Sequence, residues 1–177
     1  MPYIQEQAAV KVDTAAIASA IGLAVVATFL PFVVHIPLIT GPIINALLIL
    51  ILFIVGIRYA LLMCFVPSLM ALAGGLLPFV LAPIIPFIMI GNVIFIVSID
   101  YFYRSAKKQL NGYWIGVFVG AALKYLFIWF NANFMIGFIL RGQLSTAAAQ
   151  IISWPQFATA AAGGVIAWAI LKWLKRI

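Results

Sequence analysis

The sequence predicts an all-α fold, a polytopic membrane bundle of about six transmembrane helices that forms one domain over residues 1–177. Hydrophobic residues make up 67% of the chain and charged residues only 7%, whereas a water-soluble domain carries about 25% charged residues. The 177 residues have room for about six spans of roughly 20 residues each with short connections. This composition favours a bundle whose outer surface faces lipid, and it leaves no length for a soluble catalytic domain.

Long uncharged tracts set the positions of the helices. Residues 14–57 and 59–99 contain no Asp, Glu, Lys or Arg, and each tract is long enough for a hairpin of two spans. Glycine and proline interrupt both tracts, at Pro37, Gly41 and Pro42 in the first and at Gly74, Gly75, Pro78 and Pro83 in the second. The tracts 113–140, with only Lys124, and 142–171, with no charge, supply the remaining spans.

These boundaries predict helices near 14–34, 42–57, 59–76, 83–103, 113–131 and 154–174. The segment 131–153 fits an extended end of the fifth helix followed by an interfacial segment that folds back over the bundle. Small residues recur every four positions in the first and sixth helices, as Ala16, Ala20 and Ala24 and as the pairs Ala160–Gly164 and Gly163–Ala167. Such faces let membrane helices approach closely, so they pack either inside the bundle or against a partner.

Basic residues lie at the ends of the apolar tracts, which predicts that both termini are cytoplasmic. With the N-terminus inside, eight of the ten basic residues fall on the cytoplasmic side: Lys11, Arg58, Arg104, Lys107, Lys108, Lys172, Lys175 and Arg176. Arg141 falls outside, and Lys124 lies within the membrane. Cytoplasmic loops of membrane proteins carry an excess of lysine and arginine. The same distribution accounts for the net charge of +7 without a nucleic-acid partner.

The residue inventory argues against an enzyme. The chain has no GxSxG, HExxH or P-loop motif. Its three acidic residues, Glu6, Asp13 and Asp100, all fall on the predicted cytoplasmic side, so paired carboxylates are missing from the membrane. One cysteine and one histidine supply no ligand set for a metal or cofactor. We therefore expect no catalytic residues, no metal and no cofactor, and any ATP hydrolysis would belong to separate subunits.

Polar side chains of the predicted membrane region gather toward one side. Eight map to the middle or the outer half: His35, Thr40, Asn45, Asn92, Lys124, Asn131, Asn133 and Arg141. Polar groups in hydrocarbon are costly unless they face partners or water, so this convergence predicts a polar cavity open to the exterior. The candidate substrate-binding residues are Asn92, Lys124, Asn131, Arg141, Asn45 and His35. Capping of helix ends at the interface is the alternative for His35, Thr40 and Asn133.

Lys124 is the most informative of these residues. It stands about eleven residues into the fifth predicted helix, and Asn131, seven residues further, lies on almost the same face. Gly116 and Gly120 form a GxxxG pair beside it, which predicts that this face points into the bundle. Lys124 would then be a buried cation aimed at an anionic group of a ligand, although an ion or deprotonation of the lysine on burial could also remove the need for a counter-charge from the chain. A lysine can instead snorkel to an interface, although the reach from mid-span is poor.

Two tracts carry a resemblance to a known family. They are GPIINALLILILFIVGIRYALL at 41–62 and LPFVLAPIIPFIMIGNVIFI at 77–96, where Pro83, Pro86, Gly91 and Asn92 open the fourth helix. With the six-helix size and the alanine repeat of the first helix, they make the chain resemble the substrate-binding S component of an energy-coupling factor (ECF) transporter. The resemblance covers most of the chain.

The resemblance implies a function and a set of partners. An S component in the cell membrane of a prokaryote captures a vitamin or related micronutrient from outside. It then docks on a transmembrane T component that carries two ATPase subunits, and ATP-driven toppling of the S component releases the cargo inside. In the family the alanine motif of the first helix contacts the T component, which makes Ala16, Ala20 and Ala24 the candidate interface here.

A second hypothesis is a small non-enzymatic membrane subunit of another complex, without a ligand of its own. A bare scaffold has no reason to concentrate Asn92, Lys124, Asn131 and Arg141 toward one side, which favours the transport hypothesis. For the cargo, one cationic lysine with amides suits a carboxylate-bearing, partly aromatic compound. Three aromatic side chains beyond the lysine could stack on its ring: Trp129, Phe130 and Phe134.

The charge asymmetry makes a testable prediction about topology. In a Cys64→Ala background, a cysteine introduced at Gln143 should react with a membrane-impermeant thiol reagent in intact cells, because the segment 141–153 is predicted to lie outside. A cysteine at Gln109, in the predicted cytoplasmic loop 104–112, should react only after the cells are opened. The opposite labelling pattern would reverse the orientation.

Overall fold

The structure, a computed structural model, describes residues 14–34, 36–75, 79–139 and 154–177. This part of the chain is all-helical, which confirms the predicted fold class. The α-helices are α1 (Thr14–Val33), α2 (Pro37–Ile54), α3 (Ile57–Met63), α4 (Val66–Ala73), α5 (Ile85–Ser105), α6 (Gln109–Ile139) and α7 (Pro155–Trp173). A short 3₁₀ helix, Phe79–Ile84, precedes α5. Since α3 and α4 together occupy the predicted third span, every predicted helix has a counterpart.

Within the described residues, three helices are long and apolar enough to cross a membrane. They are Pro37–Ile54, Ala82–Ser105 and Gln109–Phe134. The 18 residues of α2 measure about 27 Å at 1.5 Å per residue, close to the ~30 Å thickness of the hydrocarbon core. Shorter apolar helices occupy Ile21–Val33 and Ile57–Ala73. These helices suggest a membrane protein, whereas the number of crossings and the orientation remain predictions.

Proline explains two departures from the predicted boundaries. The sequence predicts a second helix from about residue 42, but α2 begins at Pro37, because the first turn of a helix does not use the N–H that proline lacks. The predicted third helix is divided at Cys64 and Phe65. Pro67 cannot donate to the carbonyl of Met63, and its ring crowds that turn, so a new helix starts just before it.

The fifth predicted helix is longer than expected, since α6 continues past residue 131 to Ile139. This agrees with an extended end for that helix. The rest of the ambiguous segment, 140–153, lies outside the described residues.

Helix α2 forms the centre of the bundle. Every residue from Asn45 to Leu52 is buried, because α2 packs against α1, α3, α5 and α7. A helix that is apolar on all sides is a core helix, and Asn45 is the one polar residue in this buried run. The position of α2 therefore brings an amide into the middle of the bundle.

Glycines allow the other helices to close around this core. The predicted inward face of Gly116 and Gly120 is confirmed, since both are buried against α5. A Cβ at Gly116 would lie 2.7 Å from Ile99 Cα, closer than real Cβ atoms come. On α7, Gly163 faces α2 and Gly164 faces Val117 of α6. The small residues of the sixth predicted helix are therefore used for packing within the chain.

The alanine repeat of α1 is only partly described. Ala24 is half-buried, whereas the side chains of Ala16 and Ala20 lie outside the described residues. Beside Ala24, Ile21, Val25 and Phe29 form an exposed apolar stripe.

Aromatic side chains close one end of the bundle, where α2 and α5 end and α6 begins. Phe53 packs edge-on against Tyr103, with ring centroids 4.8 Å apart. The hydroxyl of Tyr113 donates a hydrogen bond of 2.6 Å to the carbonyl of Gly164. Trp114 lies against Trp168, with centroids 5.6 Å apart. This end is tightly filled, so open space in the bundle is found toward the other end.

Candidate functional site

A cavity of about 470 Å³ lies at the end of the bundle where α2 and α7 begin. It is bordered by α1, α2, α4, α5, α6 and α7. Most of its wall is apolar. The polar side chains along it are Thr40, Asn45, Ser68, Asn92, Lys124, Gln156 and Thr159. Ligand pockets have this composition, with a volume of roughly 300–1,000 Å³ and a few polar groups that fix orientation.

Lys124 on α6 is the central polar group of the cavity. Its side chain is only 2% exposed, and its Nζ donates a hydrogen bond of 2.8 Å to Oδ1 of Asn45. The same Nζ lies 5.6 Å from the centroid of the Phe95 ring, within reach of a cation–π attraction. Both partners are uncharged, so the ammonium is held in place without a counter-charge from either.

The carboxylate that would neutralise Lys124 is not found in the described part of the chain. Asp100 is the only acidic residue there. It lies near the other end of α5 and pairs with Arg104 at 2.8 Å. A buried charge is costly unless it is paired, and the described residues offer Lys124 no carboxylate partner.

Asn45 is fixed on α2 from two sides. Its Nδ2 donates to the carbonyl of Gly41 at 2.9 Å, one turn earlier in the same helix. From α7, Gly163 approaches so closely that a Cβ there would be 2.6 Å from Asn45 Cβ. The amide oxygen is thereby left pointing at Lys124, which accounts for the hydrogen bond between them.

The stem of Lys124 also depends on a glycine. A Cβ at Gly91 on α5 would lie 2.9 Å from Ile128 Cδ1 and 3.3 Å from Lys124 Cγ. A side chain at this position would compete with the lysine for space. Gly91 therefore lets α5 and α6 approach while the lysine reaches the cavity.

Asn92 lines the cavity from α5 and is 3% exposed. Its Nδ2 donates to the carbonyl of Cys64 at 3.3 Å, at the break between α3 and α4. Irregular backbone is tolerated at membrane depth where it lines a cavity and its polar groups find partners. Asn92 thus joins the broken helix to α5 beside the lysine.

The polarity of the cavity changes from its base to its mouth. We define the base as Lys124, Asn45 and Asn92, each at most 3% exposed. The mouth is formed by Ile36, Leu38 and Trp154, exposed by 54%, 58% and 67%. The mouth is therefore bordered by large apolar side chains, and the base holds the one charged group among the described lining residues.

Three of the six candidate residues predicted from the sequence line this cavity: Asn45, Asn92 and Lys124. Asn131 is not among the residues that line it. It lies about two turns beyond Lys124 on α6, and its Nδ2 donates to the carbonyl of Phe127 at 2.7 Å. His35 and Arg141 lie outside the described residues.

The expected aromatic platform is also corrected. Trp129, Phe130 and Phe134 are exposed on α6 and are not among the residues that line the cavity. Trp154 is the aromatic side chain that does line it. Ser68, Gln156 and Thr159 also line the cavity and were not predicted from the sequence. A single hydroxyl or amide residue near the start of a helix is typical of an ordinary helix cap.

No family model matches the chain, and no curated protein or solved structure matches it. The chemistry of the cavity therefore carries the functional conclusion.

The pairing of Lys124 with Asn45 makes a prediction about stability without ligand. Asn45→Leu should lower the free energy of unfolding by about 1–3 kcal/mol, since it leaves a buried donor without its acceptor. Lys124→Met should cost less than Asn45→Leu, because it removes the buried charge although it leaves the amide oxygen of Asn45 without its donor. The double variant should therefore be more stable than Asn45→Leu alone, as measured by denaturant unfolding in detergent.

Asn133→Leu is the matched control, since its amide is exposed and bonds only to its own helix. It should change the stability by no more than about 0.5 kcal/mol. Purely additive effects of Asn45→Leu and Lys124→Met would show that the two residues are not coupled.

Proposed function

We propose that this protein is the substrate-capturing S component of an ECF-type importer in the cell membrane of a prokaryote. It takes up a vitamin or related micronutrient from outside and delivers it by docking on a T component that carries two ATPase subunits. The single observation that carries this proposal is the buried Lys124, which faces a ligand-sized cavity without a carboxylate from the described residues.

Burial of this lysine is energetically costly. A lysine at the centre of a membrane helix costs about 2.5–3.5 kcal/mol on insertion scales. The neutral amide of Asn45 and the ring of Phe95 offset only part of that cost. An anionic ligand would offset the remainder, so a site for such a ligand gives the buried lysine a use that internal packing does not.

The shape of the cavity supports capture from one side. Its mouth lies where α2 and α7 begin, the side that the basic residues predict to be external. The opposite end is filled by aromatic side chains, Tyr113 and Trp168 among them. A closed inner end suits a protein that holds its cargo and needs another subunit to release it.

Two observations support the proposed partners: the sequence has no P-loop, and α1 has an exposed apolar surface. With no P-loop in the sequence, ATP-driven uptake requires separate ATPases. The exposed stripe of Ile21, Val25 and Phe29 lies beside Ala24, so α1 presents small and apolar residues to a neighbour. A T component is the neighbour that the ECF hypothesis assigns to this face.

Release of bound compounds tests the capture step. Wild-type protein purified from its native membrane should yield a specific small molecule when it is denatured and analysed by mass spectrometry. Lys124→Met should bind it at least about 30-fold more weakly, because loss of one partner of a buried charge pair costs roughly 2–5 kcal/mol. A protein that retains nothing would favour the alternative, a subunit of another complex without its own ligand.

Docking can be tested separately from capture. Replacing Ala16 and Ala20 together by Trp should abolish uptake by cells while the purified variant still retains its ligand, since only small residues permit close helix contact. Leu62→Trp on the exposed surface of α3 is the control and should leave uptake intact. Normal uptake by the double variant would remove this face of α1 from the interface.

A further inference from the structure

We propose that the cavity selects an organic monocarboxylate with an apolar body, and that the carboxylate enters first and binds at the base. This inference rests on the proposed capture function and adds the chemical class of the cargo. It is drawn from the number of charges in the cavity, the free donors at its base, the polarity of its wall and its volume.

The charge count favours a single negative charge. Lys124 is the only charged residue among the described residues that line the cavity. One carboxylate neutralises one ammonium, whereas a phosphate group brings about −1.5 to −2 at neutral pH. A dianion would thus leave an excess charge buried at the base, where it is costly.

The donors at the base suit the two oxygens of a carboxylate. An ammonium has three N–H groups, of which the structure uses one for Asn45. The side-chain amide of Asn92 has two N–H groups, one of which donates to the carbonyl of Cys64. A carboxylate at the base can accept from both residues, and the existing hydrogen bonds hold each donor group in position.

The starts of two helices add a weaker attraction for anions at the mouth. Helices α2 and α7 begin at Pro37 and Pro155, both on the cavity wall, and neither has an acidic residue in its first turn. Helix N-termini carry about half a positive charge. They would guide an anion inward, but only the base provides a full charge and excludes water.

The wall between mouth and base fits an apolar body. Pro31, Ile44, Ala71 and Ile88 line it, and Trp154 offers a ring at the entrance. The polar side chains on this part of the wall are uncharged: Thr40, Ser68, Gln156 and Thr159. The volume of about 470 Å³ falls within the roughly 300–1,000 Å³ of small-molecule sites. The cargo is therefore a small organic acid.

A count of carboxyl groups tests this inference. Purified wild-type protein and the Lys124→Met and Asn133→Leu variants are each freed of bound compounds and incubated with a small-molecule extract of the source cells. Retained compounds are released, and their carboxyl groups are coupled to an amine tag of known mass. We expect one compound enriched at least tenfold on wild type and Asn133→Leu relative to Lys124→Met, with a mass shift of a single tag and no phosphorus.

A second measurement does not depend on the Lys124 variant. Methyl esterification of the retained compound removes its charge and should weaken binding to wild-type protein at least 30-fold in calorimetry. A retained compound with no tag, with two or more tags or with phosphorus would overturn the monocarboxylate inference and leave capture intact. Equal retention on Lys124→Met, or equal binding of the ester, would also overturn it. Retention of nothing by wild type would instead overturn the proposed function.

Discussion

The hydrogen bond from Lys124 to Asn45 is the constraint around which the described bundle is organised. It places the one buried ionisable cation of the described residues against a neutral amide at the centre of the structure. Gly163 lets α7 close on the back of Asn45, and Gly91 lets α5 close beside the stem of Lys124. Because both approaches leave no room for a side chain, the positions of α5 and α7 around α2 and α6 are tied to this pair.

The broken helix α3–α4 serves the same site. Pro67 ends the regular hydrogen-bonding pattern, and Asn92 donates to the carbonyl of Cys64 at the break. In a membrane, a freed backbone carbonyl needs a hydrogen-bond donor, and here the donor is Asn92, which also lines the cavity. Helix packing and the polar groups of the candidate site therefore involve the same few residues.

Much of the fold could be predicted because the apolar helices of this chain coincide with long stretches that contain no charged residue. The uncharged tracts predicted the positions of the helices, and the GxxxG pair predicted which face of α6 is buried. The start of α2 and the division at Cys64 were missed, because the effect of a proline depends on whether its missing N–H falls in a first turn or an interior one. Asn45, Asn92 and Lys124 were predicted to share a site, and all three line the cavity. Asn131 was predicted to belong to the same site but does not line the cavity, since helical spacing shows which face a residue shares but not how far along that face a cavity extends.

The sequence by itself determined the all-α membrane-type bundle, the lack of enzyme motifs and the presence of a lysine with no acid nearby along the chain, because these depend on composition and on local periodicity. Only the tertiary structure decided that Lys124 bonds to Asn45, 79 residues away, and that Trp154 rather than Trp129 borders the cavity. Such facts depend on how closely helices approach one another. That distance is set by small residues on facing helices, such as Gly91 and Gly163, whose partners a single sequence does not identify.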